Sequence, residues 1–189
     1  MRKFDVHTRD TAPAKSAESL RNKEEAFGFI PNLVGILAES PAALNGYVTL
    51  GQIFDESSFS PTERQIVLLA ASRFNECRYC VAAHSVVADL QEVPADVIAA
   101  IRNDQPIADN KLEALRTFTT AVVEERGWVT EDDTAAFLAA GYSKAQILEV
   151  ILGISFKTLS NYVDHVADTP LDEAFAPKAW APVTKRLAS

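Results

Sequence analysis

Ser60–His84 reads SPTERQIVLLAASRFNECRYCVAAH. It opens as a helix start. Ser60 is an N-cap, Pro61 fills the first turn, and Glu63 completes a capping box. Ile66, Val67, Leu69, Ala70 and Phe74 follow at helical spacing. A break falls near Asn75, and a second helix is expected from Cys77 to about Leu90.

The same grammar extends outward. Ser16 to Phe27 predicts a charged helix, broken by GFIPN at Gly28–Asn32. Ser40-Pro41 opens another through about Phe54. Downstream, helices are expected over Pro94–Arg102, Asn110–Glu124 and, behind Thr130, Glu131–Ala139. Ser143 and Gln146 form a second capping box, for a helix to about Lys157 that resumes through Val166. No stretch alternates as a strand does. The fold class is all-α, a multihelical bundle. The segment after Thr169 holds three prolines and is expected to run extended over the surface. A shift of 81 residues lays QIVLLAASRFNECRYCVAAH over QILEVILGISFKTLSNYVDH with three identities, a pattern consistent with duplication of a helix pair.

Composition narrows the function. The chain has 189 residues, 48% apolar, enough for a core without disulfides. A formal charge of −8 argues against nucleic acid and anionic membranes as partners. The first residues carry basic side chains but no apolar run, so a secretory leader is not expected. No run approaches the roughly 20 apolar residues of a membrane helix. A cytoplasmic protein is the expectation, and in a reducing compartment a CxxC pair points to redox chemistry or metal rather than a structural bridge.

Cys77 and Cys80 are the only two cysteines. His84 follows Cys80 by four residues, so all three share one helix face. A helix N-terminus stabilises a thiolate, and Arg78 adds positive charge while Glu76 opposes it. Cys80 and His84 then come within reach directly or through one water, a nucleophile beside a base. The chemistry this suits is attack of a thiolate on a peroxide oxygen, followed by condensation of the sulfenic acid with the second thiol. Two other readings stand beside it: vestigial buried cysteines in a non-catalytic helical protein, and a zinc site completed by His84 and either His165 or a carboxylate. Glu63 reads first as a cap, and His165 as a core or interface residue. His7 carries no signal, and Trp128 and Trp180 read as core or interface filling.

At these residues the chain resembles the AhpD-like alkylhydroperoxidases of the carboxymuconolactone decarboxylase superfamily. The likeness extends to GFIPNLVGILAESPAALNGY, similar to the family's peroxidase-related branch, and to the stretch from Gly141 to Phe175. It implies an AhpD-like domain over 28–175, with an N-terminal extension at 1–27 and a C-terminal tail at 176–189. It further implies a homo-oligomer, trimer or hexamer, that reduces a peroxide or disulfide substrate with no cofactor and no metal, and is recharged by a dithiol reductant. In the best-studied branch that reductant is a lipoyl-bearing protein. By resemblance, Cys80 becomes the sulfenic acid, Cys77 resolves it, and His84 relays the proton.

Two positions depart from the pattern. Where the family's relay has a glutamate, twelve residues before the first cysteine, this chain has Gln65. Glu63 lies about 200° around the helix from it. Tyr79 stands where the best-studied branch has a histidine. If the two helix pairs pack together, Glu149 and Asp164 are the carboxylates placed to replace the missing one. Lactone decarboxylation, the superfamily's other activity, is carried by members without the CxxC.

Overall fold

The structure, a computed structural model, describes residues 4–182. Its α-helices are α1 (Ala17–Phe27), α2 (Asn32–Leu37), α3 (Pro41–Asp55), α4 (Pro61–Phe74), α5 (Arg78–Leu90), α6 (Ala95–Arg102), α7 (Asn110–Glu124), α8 (Glu131–Ala139) and α9 (Lys144–Ala167). No strand occurs among the described residues.

The caps act as the sequence dictates. The Glu63 amide donates to Ser60 Oγ, and the Ser60 amide donates back to the Glu63 carboxylate at 2.9 Å. Glu63 also pairs with Lys111 at 3.5 Å, so the capping reading holds. Ser40, Thr130 and Ser143 cap α3, α8 and α9.

The break after α4 is a Schellman turn. The Cys77 amide donates to Ser72 O and the Glu76 amide to Arg73 O, both at 2.9 Å. Glu76 takes the left-handed conformation, φ 55°, that such turns usually give to glycine. Cys77 is thus at once the last residue of the turn and the N-cap of α5.

Helix α4 is buried from Gln65 through Ser72 and packs against α5, α6, α7 and α9. Ile66, Val67, Leu69, Leu115, Phe118, Phe137 and Val150 form the larger core. A second cluster, with Leu20, Leu33, Leu37, Leu44 and Phe175, encloses both cysteines. Every side chain of that shell comes from outside α4, so the site sits at the edge of the main core rather than within it.

The structure departs from sequence expectation in several places. α2 starts at the last residue of the Gly28–Asn32 break and fills a stretch before Ser40 that the sequence reading left unassigned. α9 is unbroken, so the 81-residue shift sets a helix pair against one continuous helix. Burial against α3 and α4 carries it through Gly153 and Lys157. The segment after Thr169 does not simply run extended. Glu173–Lys178 forms a 3-10 helix that buries Phe175 against Phe29 and Tyr79, with ring centroids 5.7 and 5.9 Å apart. Trp128 is not core, at 88% exposed, because it lies in the polar turn before α8. His165 is exposed on α9 rather than buried. Trp180 is half-buried and donates to Arg102 O at 3.0 Å. His7 bonds Glu39 at 2.6 Å. The expectations for residues 1–3 and 183–189 lie outside the described residues.

No single helix among the described residues is long and apolar enough to cross a membrane.

Candidate functional site

Two helices build the site. α5 presents Cys77, Cys80 and His84 on one face. α9 crosses it with Lys157, Ser160, Asn161 and Asp164, all buried. These four recur at i, i+3, i+4 and i+7, a polar stripe that continues the buried line of Val150, Gly153 and Phe156. Asn161 fixes the crossing: it accepts from Asn75 Nδ2 at 2.9 Å, and its own Nδ2 donates to Ser72 Oγ at 3.4 Å.

Asp164 Oδ2 lies 3.3 Å from Cys77 Sγ and 3.1 Å from Cys80 Sγ, bridging the two sulfurs. The Cys80 amide donates to Cys77 Sγ at 3.3 Å, so the first thiol caps the helix that carries the second. Lys157 Nζ donates to Cys80 Sγ at 3.3 Å and to His84 Nε2 at 2.9 Å. The far side of His84 closes the chain: Nδ1 lies 3.1 Å from Gln65 Oε1, and Gln65 Nε2 donates to Gln91 Oε1 at 3.0 Å. With that amide orientation the imidazole is neutral, carries its proton on Nδ1, and accepts from the lysine through Nε2. His84 therefore reaches Cys80 only through Lys157, not directly. Gln65 sets the tautomer and takes no proton.

The electrostatics follow from burial and these contacts. Burial alone would raise the Cys80 thiol. The Cys77 thiol, the Lys157 ammonium, Asp164 and Ser160 outweigh it and hold Cys80 well below the ordinary thiol value. Cys77 is pushed up, first by its hydrogen bond to Cys80 and then by burial. Burial and the negative charge on Cys80 push Asp164 up to about 9. Burial, then the Lys157 charge, holds His84 well below its usual value. These shifts favour a thiolate at Cys80, a protonated Asp164 and a neutral His84.

This predicts an unusual pH dependence. A raised Asp164 favours folding below its unfolded value, and that contribution is lost as pH rises toward 9. A depressed Cys80 does the reverse: its contribution is present above the unfolded thiol value and is lost as pH falls through the folded one. Near neutrality the two share one proton in the folded chain and one in the unfolded chain, so they add little slope. Asp164→Asn removes one side of that balance. Its unfolding free energy should rise with pH between the folded and unfolded Cys80 values, by up to about 1.4 kcal/mol per unit. Urea melts across pH, read against wild type, check the difference in slope.

Glu149, the other carboxylate singled out, is elsewhere: it accepts from Ser58 Oγ at 2.6 Å and from the Ser58 amide at 3.1 Å. Tyr79 is a structural post. Its hydroxyl donates to Asp172 at 2.6 Å and accepts from the Leu33 amide at 3.3 Å, while Asp172 also accepts from the Asn32 amide. The knot ties α5 to α2 and to the segment after α9. Tyr79→Phe leaves a buried carboxylate short of a donor and should cost about 2 kcal/mol in a urea melt at neutral pH.

The zinc reading, Cys77, Cys80 and His84 with His165 or a carboxylate as fourth ligand, is met only in part. Cys77, Cys80 and Asp164 cluster within 4.8 Å, but His84 faces Lys157 and His165 faces outward. An ammonium 3.3 Å from Cys80 Sγ also repels a dication.

An apolar cavity of about 70 Å³ opens onto Cys80, His84 and Lys157 between Tyr47, Tyr79 and Phe175. Tyr47 stacks on Phe156 at 4.9 Å, which seats the aromatic wall beside the lysine.

Residues 39–120 match the profile of the carboxymuconolactone decarboxylase family. Several solved structures share the fold. An uncharacterized peroxidase-related protein with an alkylhydroperoxidase AhpD core, from Ralstonia eutropha JMP134, superimposes with TM-score 0.83 at 19% identity, over 96% of this chain and 98% of its own. A peroxidase-related protein from Silicibacter sp. TM1040 gives 0.79 at 18% identity, over 92% and 93%. The debrominase Bmp8, in complex with 2,3,4-tribromopyrrole, gives 0.77 at 17% identity, over 93% and 94%. No curated protein matches the sequence significantly. The chain therefore has the fold of an AhpD core, and its residues 39–120 are similar to the carboxymuconolactone decarboxylase family.

Proposed function

We propose that the chain is a two-thiol reductase of hydroperoxides. The observation that carries the reading is the buried Lys157 ammonium 3.3 Å from Cys80 Sγ, with Cys77 and Asp164 also gathered around the same sulfur. Such a setting keeps Cys80 a thiolate without exposing it.

The Cys80 thiolate attacks the terminal oxygen of ROOH. The O–O bond breaks, Cys80 becomes a sulfenic acid, and the alkoxide takes a proton from Lys157 and leaves as an alcohol. Neutral His84 accepts from Lys157 through Nε2 and holds its ammonium against the sulfur. Cys77 then attacks Cys80 Sγ, forming the disulfide. Protonated Asp164 gives its proton to the departing hydroxide, which leaves as water, and takes the Cys77 proton in return. The balance is ROOH plus two thiols to ROH, water and one disulfide. A dithiol reductant then restores the thiols.

The test is direct. Reduced protein receives one equivalent of cumene hydroperoxide near neutral pH, and both thiols are followed by mass spectrometry. Loss of both in the wild type, with sulfenic acid trapped at Cys80 in Cys77→Ser, is the expected result. Thiols that survive for hours in the wild type would overturn the reading in favour of vestigial cysteines.

The aromatic cavity wall favours a second substrate class for the same thiols, a halogenated aromatic. There the carbon–halogen bond would break as Cys80 takes the halogen, the ring carbanion would take a proton from Lys157 and leave as the reduced ring, and Cys77 would then displace halide as the disulfide forms. Halide release from 2,3,4-tribromopyrrole distinguishes the two. Assembly into a homo-oligomer belongs to the same reading. It is supported by the apolar residues Leu148, Ile151, Tyr162 and Val166 exposed along α9, and sedimentation measures it.

A further inference from the structure

The two cysteines face different openings. The apolar cavity reaches Cys80 but not Cys77. On the other side of Tyr79, a polar cleft of about 240 Å³ reaches Cys77 and Asp164 but not Cys80. Its rim is Glu76, Arg78, His165 and Asp168, all exposed. Tyr79 lines both openings and is pinned from two sides by Asp172 and the Leu33 amide, so it acts as a fixed wall between them.

We propose that the polar cleft is a second binding site, the entry for a small water-soluble dithiol that reduces the Cys77–Cys80 disulfide by attacking Cys77, while the oxidising substrate enters only through the apolar cavity. This rests on the two-thiol reading above and adds the route and chemistry of its reductant.

Two independent arguments converge on Cys77. The first is access: a hydrophilic thiol meets charged and polar side chains at the cleft and an aromatic wall at the cavity. The second is reactivity. Thiol–disulfide exchange goes faster when the sulfur displaced is the better leaving group. Attack on Cys77 expels Cys80, and Cys80 leaves as a thiolate onto the Lys157 ammonium 3.3 Å away. Attack on Cys80 would expel Cys77, which Lys157 does not touch.

The step balances. One reductant thiolate bonds to Cys77 Sγ as the Cys77–Cys80 bond breaks and Cys80 leaves with the electron pair. The second reductant thiol attacks its partner sulfur in the mixed disulfide and closes a cyclic disulfide. Cys77 departs and takes a proton, which Asp164 can deliver from 3.3 Å. The protein gains two electrons and the dithiol loses them.

The partition makes the half-reactions separable. His165→Trp and Arg78→Trp each narrow the cleft from opposite sides. Ala83→Leu narrows the cavity, which Ala83 lines. The disulfide is formed with diamide, so that reduction by dithiothreitol is read without any peroxide step. Oxidation of the reduced protein by cumene hydroperoxide is read separately. His165→Trp or Arg78→Trp should slow reduction by about tenfold or more and leave oxidation at the wild-type rate. Ala83→Leu should do the reverse. Either tryptophan variant suffices if the other fails to fold. Slowing of both half-reactions by one variant, or reduction unaffected by both cleft variants, would overturn the proposal. A wild type that ignores peroxide but shows the cleft effect on its diamide-formed disulfide would sink the peroxidase reading and keep this one. Failure of diamide to form the Cys77–Cys80 disulfide would sink both.

Discussion

Lys157→Met is expected to slow the reaction of Cys80 with electrophiles by about 100-fold at neutral pH. Methionine keeps much of the volume and removes the charge. An opposite charge within 4–6 Å shifts a pKa by about 1–3 units, and the thiolate fraction at a pH below the new value falls in proportion. Here the ammonium is buried, 3.3 Å from the sulfur, and no solvent screens the pair. The loss should shrink as pH rises, because the thiol ionises unaided at high pH. Rates of Cys80 alkylation by iodoacetamide against pH, in Cys77→Ser with and without the lysine change, check it. Equal rates at neutral pH would show that the lysine is a core residue with no part in the chemistry. Lys157 also sits 5.2 Å from the Phe156 ring centre, so a thermal melt must accompany the rates.

Gly153→Val is expected to cost about 3 kcal/mol of stability. Gly153 lies where α9 crosses α3 and α4. A Cβ there would stand 2.7 Å from Phe54 Cε2 and 2.8 Å from Val67 Cγ1. Neither neighbour can retreat, since both are wholly buried. Even alanine must displace the ring, although it recovers about 1 kcal/mol of helix propensity. Valine adds two methyl groups to the same clash. The damage should reach the site, because Lys157 is one turn further along α9. Urea unfolding measures the cost. A valine variant as stable as wild type would mean that α9 does not cross α4 at this residue.

The helix starts were legible because they are written in local chemistry. Ser60, Thr130 and Ser143 with their acid or amide partners can do little else. The helix ends at Leu90, Arg102, Glu124 and Ala139 also fell where the sequence put them. What the sequence did not show is that Glu76, Glu92, Asp104 and Arg126 close their turns in the left-handed conformation without being glycine. α2 was hidden because its six residues are too few to show a period, and tertiary burial of Leu33, Val34, Ile36 and Leu37 holds it. α9 looked divided at Lys157 because a charge interrupted the apolar pattern.

The same interruption was the site's strongest missed signal. Lys157, Ser160, Asn161 and Asp164 share a face with Val150, Gly153 and Phe156, and a polar stripe in line with a buried apolar one has to serve a buried polar partner. Cys77, Cys80 and His84 were found because their spacing is local. Asp164 was named only as a conditional candidate. Gln65 was seen as a departure, but its use, holding the His84 tautomer, needed the position of Gln91 across 26 residues of chain.

The account turns on Cys80 being a thiolate at neutral pH. Ultraviolet titration of thiolate absorbance, on reduced wild type, Cys77→Ser and Cys80→Ser, asks that alone. The account predicts about one thiolate per chain already present near neutral pH in the wild type and in Cys77→Ser, absent in Cys80→Ser, and lost only well below the free-cysteine value. Two thiols that both titrate near about 8.5, with Cys80→Ser like the wild type, would contradict it.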